Sequence, residues 1–163
     1  MGIGGGYRRV YCAQGVKMNI QEFLDPLRND DYFAHDIKRI YQKNSIEQAL
    51  MRKYATEHGY NPNGIDHYYH RKTVYEAAQK GQNAANMMLI LGALKESKDL
   101  VRDTYKLGSL KKAWAESEKD LQNNILGYRM GLNNALPPES NPEFNQYNSN
   151  TVNAILEALK AKQ

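Results

Sequence analysis

The chain has a single cysteine, Cys12, among 163 residues. One thiol excludes a disulfide framework and a cysteine-based zinc site. Long hydrophobic runs are missing as well. The best candidate, residues 84–94, contains Asn86 and falls short of the ~18 apolar residues that a membrane helix needs. No transmembrane segment is therefore expected. The opening MGIGGG has no apolar stretch of the kind that directs secretion, and position 6 is glycine where a myristoylation signal has Ser or Thr. A soluble chain without a secretion signal would leave a cell by a non-classical route or be packaged in a virion. No stretch alternates in the manner of a half-buried strand, and no internal repeat is present.

What remains has globular proportions. Hydrophobic residues make up 41% and charged residues 25%, which argues against wholesale disorder. The length suits one domain. The formal charge is +4, from 22 basic and 18 acidic residues. Residues 1–18 hold Arg8, Arg9 and Lys17 and no acid, so 19 basic residues face all 18 acidic ones in the rest. The body is nearly neutral. Residues 1–18 are expected to be a flexible basic leader, since MGIGGG is permissive by composition.

Helical signals follow. Residues 19–28 form a short amphipathic candidate interrupted by Pro26. Asp30 or Asp31 is expected to cap a helix to about Lys43, with Phe33, Ile37, Ile40 and Tyr41 as its apolar stripe. Ser45-Ile46-Glu47-Gln48 has capping-box spacing and predicts a separate helix burying Ile46, Ala49, Leu50 and Tyr54, ended by Gly59. Three longer helices are expected over residues 65–80, 83–106 and 109–134. Gly81, Gly108 and Pro137-Pro138 stop them, and Ser109 caps the last. Residues 137–150 read as a polar linker and residues 151–163 as a terminal helix. The expected fold is all-α: one compact bundle of about five to seven helices, its main body spanning residues 19–136.

The three long helices carry polar stripes at 4-3-4 spacing, which keeps residues on one face. They are Asp66, His70, Thr73 and Ala77; Gly92, Glu96, Asp99 and Asp103; and Asp120, Asn124, Gly127 and Gly131. The last borders an apolar stripe of Leu110, Trp114, Leu121, Ile125 and Tyr128. Glycine inside a helix costs roughly 0.5–1 kcal/mol against alanine, so Gly127 and Gly131 imply close approach by another helix or a ligand. Each polar residue alone could be a solvated face. If the helices converge, His70 or His67 meets Glu96, Asp99, Asp120 and Asn124, and buried carboxylates must be paired, protonated or metal-bound. Lys95 could instead form a plain surface pair with Asp99.

Three blocks appear in order: Asp66-x-x-x-His70, then Gly92-x-x-Lys95-Glu96-x-x-Asp99, then Asp120-Leu121-x-Asn123-Asn124-x-x-Gly127-x-x-x-Gly131. This pattern, over about residues 64–132, resembles small helical bacterial and phage domains. Among them are the YfiM-like envelope lipoproteins and a toxin-associated helical domain of unknown function. The resemblance implies a polar site made by Asp66, His70, Lys95, Glu96, Asp99, Asp120 and Asn124, in an envelope or secreted-effector setting. This chain departs from the lipoproteins in having no lipobox cysteine.

Three functions compete. The first is a hydrolase-like effector or envelope-associated domain. His70, Glu96, Asp99 and Asp120 would be its catalytic groups, with Asp66, Lys95 and Asn124 orienting substrate. A divalent metal is an open possibility, with His67, His70, Glu96, Asp99 and Asp120 as candidate ligands. Their mix of nitrogen and oxygen donors disfavours a thiol-preferring ion, and His67-x-x-His70 lacks the glutamate of H-E-x-x-H. Partners would be a cell-envelope component or other effector subunits. The second is a non-enzymatic virion or assembly protein and oligomer; sixteen asparagines and twelve tyrosines suit interfaces. The third, disfavoured, is nucleic-acid binding through the N-terminal bases with Lys38-Arg39, Arg52-Lys53 and Arg71-Lys72.

Overall fold

The computed structural model describes residues 9–12, 16–19, 31–133 and 136–161, with side chains from residue 35 onward. Within the segment expected as a leader, β1 (Arg9–Cys12) and β2 (Val16–Asn19) pair antiparallel, Arg9 opposite Asn19 and Cys12 opposite Val16. The helical candidate over residues 19–28 lies almost wholly outside the described residues. The rest is all-α: α1 (Asp31–Glu57), α2 (Ile65–Ala78), α3 (Gln82–Leu107), α4 (Leu110–Asn133), a 3-10 turn (Pro138–Ser140), α5 (Pro142–Asn145) and α6 (Asn150–Lys160). Among the described residues no helix is long and apolar enough to cross a membrane.

Local signals set most boundaries. Gly59 and Gly108 adopt φ of 73° and 61° just beyond the ends of α1 and α3, a left-handed turn that a residue with a Cβ avoids. Ser109 Oγ accepts from the Lys112 amide at 3.4 Å before α4, and Ser149 Oγ accepts from the Val152 amide at 3.2 Å before α6.

Ser45 behaves otherwise. No helix starts there; α1 runs through it unbroken. Asn44 Nδ2 donates to the Ile40 carbonyl (3.0 Å), and Ser45 Oγ donates to the Tyr41 carbonyl (2.9 Å). Both side chains bond the preceding turn and leave no backbone amide to cap. Most of the expected apolar face turns outward, with Ile46 and Leu50 62% and 61% exposed, while Tyr54 packs half-buried against the core; Ile37, Ile40, Asn44, Met51 and Ala55 face inward.

Helix α2 is the axis of the molecule. It packs most extensively on α4 and also touches α1 and α3. Helix-to-helix burial therefore surrounds it, and Ile65, Tyr68, Tyr69, Val74, Tyr75, Ala77 and Ala78 are all buried. Glycines on α4 allow the contact. A Cβ at Gly131 would lie 2.6 Å from both the Tyr75 carbonyl oxygen and the Ala78 Cβ, and one at Gly127 would overlap the Arg71 carbonyl. The small-residue stripe expected from sequence is thus the seat of α2.

Residues 137–150, expected as a polar linker, fold back onto α2. Phe144 is fully buried, its ring edge-on to Tyr68 and Tyr75 at centroid distances of 5.8 and 5.4 Å. Arg71, also buried, lies 5.0 Å from the same ring centroid and donates to the Asn123 and Asn148 side-chain oxygens. Burial lowers its pKa to about 10. Lys72 is buried against Glu47 at 2.7 Å and Glu139 at 2.6 Å. Arg71 and Lys72 therefore do not belong to a basic surface.

With 14 residues, α2 is little more than half as long as α3 (26) or α4 (24). The far part of the α3–α4 hairpin extends past it. Leu110 and Trp114, expected as core, are exposed there, together with Val101 and Tyr105.

Candidate functional site

One face of α2 meets α3 and α4 at the floor of an open groove of about 980 Å³. His70, two turns into α2, lies beside Glu96 of α3 and Asp120 and Asn124 of α4. The 4-residue step from Asp120 to Asn124 places both on one side of α4. His70 Nε2 is 3.6 Å from Glu96 Oε1 and 3.5 Å from Asp120 Oδ2, and His70 Nδ1 is 3.2 Å from Asn124 Oδ1. Glycine permits the approach here also, since a Cβ at Gly92 would come within 2.6 Å of Asn124 Nδ2.

A second set of contacts braces these groups. His67 Nδ1–H donates to Asp120 Oδ1 at 3.0 Å, the oxygen not turned toward His70. Lys95 reaches Glu96 Oε1 at 3.2 Å and Asp99 Oδ2 at 2.9 Å. Arg102 holds the other oxygen of Asp99 at 2.7 Å.

Electrostatics separate the two central carboxyls. Burial pushes Glu96 above the usual glutamate range, Lys95 opposes this, and Asp120 adds to it. Glu96 is only 4% exposed. Burial also acts against the Asp120 carboxylate, but the His67 bond and the charges of both histidines outweigh it and hold the group below its usual range. The Asp120 bond in turn raises His67.

Of the residues expected at a site, His70, Glu96, Asp120 and Asn124 are brought together. His67 joins through Asp120, and Lys95 through Glu96. Asp99 lines the groove but is engaged by Lys95 and Arg102. Asp66 also lines the groove, but on its α1 side, apart from the His70 cluster, where it accepts from Gln48 and Arg52. Nothing in the sequence signals that pairing, because a contact between α1 and α2 leaves no periodic trace. Asn123, quoted in the third block, takes a structural part: its neighbour Asn124 turns to the groove while Asn123 itself accepts from Arg71.

Compared with protein-family models, curated proteins and solved structures, the chain matches none.

Proposed function

We propose that the chain is a hydrolytic helical domain of the effector or envelope-associated kind, with His70, Glu96 and Asp120 activating a water in the groove. The observation that carries this is the convergence of those three acid–base side chains from three helices at the floor of one groove. Asn124 orients the His70 ring, and Lys95 and Asp99 lie at the rim. The ordered blocks that resemble envelope and toxin-associated domains point the same way. The test is a hydrolysis screen with lipid ester, peptidoglycan and phosphodiester substrates, comparing the natural chain with His70→Ala and Asp120→Asn. Loss of about 10²–10⁴-fold is expected in each variant. Activity equal to the natural chain's in both would reject the site.

One observation favours a second reading, that of an assembly protein. Val101, Tyr105, Leu110 and Trp114 are exposed on the projecting hairpin, and exposed apolar side chains gathered on one part of a surface are a common mark of an interface. Light scattering after size exclusion tests it: a multimer dispersed by Val101→Glu supports assembly, and a monomer at high concentration opposes self-assembly.

A further inference from the structure

We propose that His70 Nε2, Glu96 Oε1 and Asp120 Oδ2 are the three protein ligands of one divalent first-row transition-metal ion. The inference rests on reading this cluster as a working site, and it names the cofactor of that site.

Geometry is the first support. Ligand atoms on a tetrahedral ion with bonds of about 2.0–2.2 Å lie roughly 3.4 Å apart. Nε2 lies 3.5 Å from Asp120 Oδ2 and 3.6 Å from Glu96 Oε1. One ligand atom from each of the three residues falls within 4.8 Å of the other two. The two distances from Nε2 are already near ligand spacing, and the three residues come from three packed helices.

The imidazole tautomer is the second. Asn124 is buried, and its Oδ1 can only accept, so it takes the proton-bearing Nδ1 of His70. In the neutral ring Nε2 then presents a lone pair toward two carboxylates. Three lone-pair donors facing one another repel unless a proton or a metal ion lies between them, and the site offers room for either. The second-shell hydrogen bond that fixes a ligand histidine is typical of metal centres, and Asn124 is placed to supply it. Its Nδ2, buried, has no hydrogen-bond partner among the described residues, so the amide satisfies His70 while its own donor goes unmet.

Charge is the third. Lys95 reaches Glu96 but makes no ion pair with Asp120, and it is shared with Asp99. Its ammonium sits on a half-exposed flexible stem and can withdraw as an ion enters. Two carboxylates neutralise a divalent charge. One imidazole with two carboxylates suits zinc or manganese better than calcium or magnesium, which favour all-oxygen shells. The open groove leaves the fourth position to water, the arrangement that distinguishes catalytic from structural sites.

The structure also narrows the sequence-derived ligand set. Asp99 is committed to two cations. His67 bonds the far oxygen of Asp120 and so acts one shell out.

The experiment uses the full chain stripped with a chelator. Zinc is titrated calorimetrically, and cobalt(II) is added separately as a visible reporter. One equivalent of zinc and the intense visible bands of four-coordinate cobalt are expected. Glu96→Gln and Asp120→Asn, near-isosteric changes, should each weaken zinc at least tenfold, while Lys95→Met should bind as well or better. Zinc binding no stronger than in the His70→Ala/Glu96→Gln/Asp120→Asn triple variant would overturn the proposal, as would the pale bands of six-coordinate aqueous cobalt. The cobalt spectrum of the natural chain decides even if a variant fails to fold. Hydrolysis is scored separately. Chelator-insensitive hydrolysis that depends on His70 sinks the metal and spares the hydrolytic reading; tight zinc binding without hydrolysis supports the metal and counts against that reading.

Discussion

Gly127 of α4 lies flush on the backbone of Arg71 in α2, one residue beyond His70. A Cβ at Gly127 would overlap the Arg71 carbonyl oxygen and stand 3.0 Å from its carbon. The partner is backbone, so no rotamer change relieves the overlap. Helix propensity favours alanine by about 1 kcal/mol, but overpacking costs about 1–3 kcal/mol or more and should prevail. Gly127→Ala is expected to lower the urea midpoint and to weaken whatever the His70 site does, since α2 must move away from α4. A stabilised Gly127→Ala would show that the two helices are not in this contact.

Ser45 distinguishes a helix cap from a helix interior. In the continuous α1 its hydroxyl bonds only the preceding turn, so Ser45→Ala should be neutral or stabilising by up to about 0.5 kcal/mol. A capping serine would instead cost about 1 kcal/mol when lost. Chemical denaturation reads the sign directly.

Phe144 tests whether the 137–150 segment belongs to the core. Its ring is fully buried among Tyr68, Tyr75 and Arg71. Phe144→Ala should destabilise the whole domain by about 3–5 kcal/mol. A loss below about 1 kcal/mol would indicate a segment detached from α2.

Glu139 adds an acid-sensitive clasp. Burial pushes its carboxyl up, but the bond and charge of Lys72 outweigh this and hold it below the usual range. A depressed value means the contribution is present above the ordinary glutamate pKa of about 4.3 and is lost as pH falls through the folded-state value. The natural chain should therefore lose stability between about pH 5 and pH 3 more steeply than Glu139→Gln. Parallel slopes would show that the Lys72 pair is not formed.

His67 is expected to position rather than ligate. Removing it frees Asp120 Oδ1, and loss of such an outer partner typically costs about 10–100-fold in metal affinity. His67→Ala should show that loss by calorimetry at an unfolding midpoint near the natural chain's. Unchanged affinity would place His67 outside the centre.

Much of the fold was legible because its punctuation is local. Gly59, Gly108, Ser109 and Pro137-Pro138 act on the backbone within a turn of themselves, so the ends of α3 and α4 fall within a residue or two of expectation. The stripes on α2, α3 and α4 were legible for the same reason, since helical spacing alone puts Asp120 beside Asn124. Ser45 was misread because a capping-box pattern and an intrahelical hydroxyl bond look alike in sequence. The choice between them depends on Asn44 being drawn into the interior beside Glu76, whose Oε2 accepts from it at 2.8 Å. Residues 137–150 were misjudged by composition, because one phenylalanine anchors a polar stretch only when a pocket exists to receive it.

From sequence alone follow the all-α class, the near-neutral body, the three polar stripes and the small residues beside them, all products of chain-local chemistry and helical period. Tertiary structure alone decided which acids meet. Asp66 and Asp120 are equally eligible by pattern, yet Asp66 turns to Arg52 and Asp120 turns to His70. The rotation of each helix is set by the burial of its apolar side chains and by the close seating of α2 on Gly127 and Gly131, and neither is written in the spacing of any one helix.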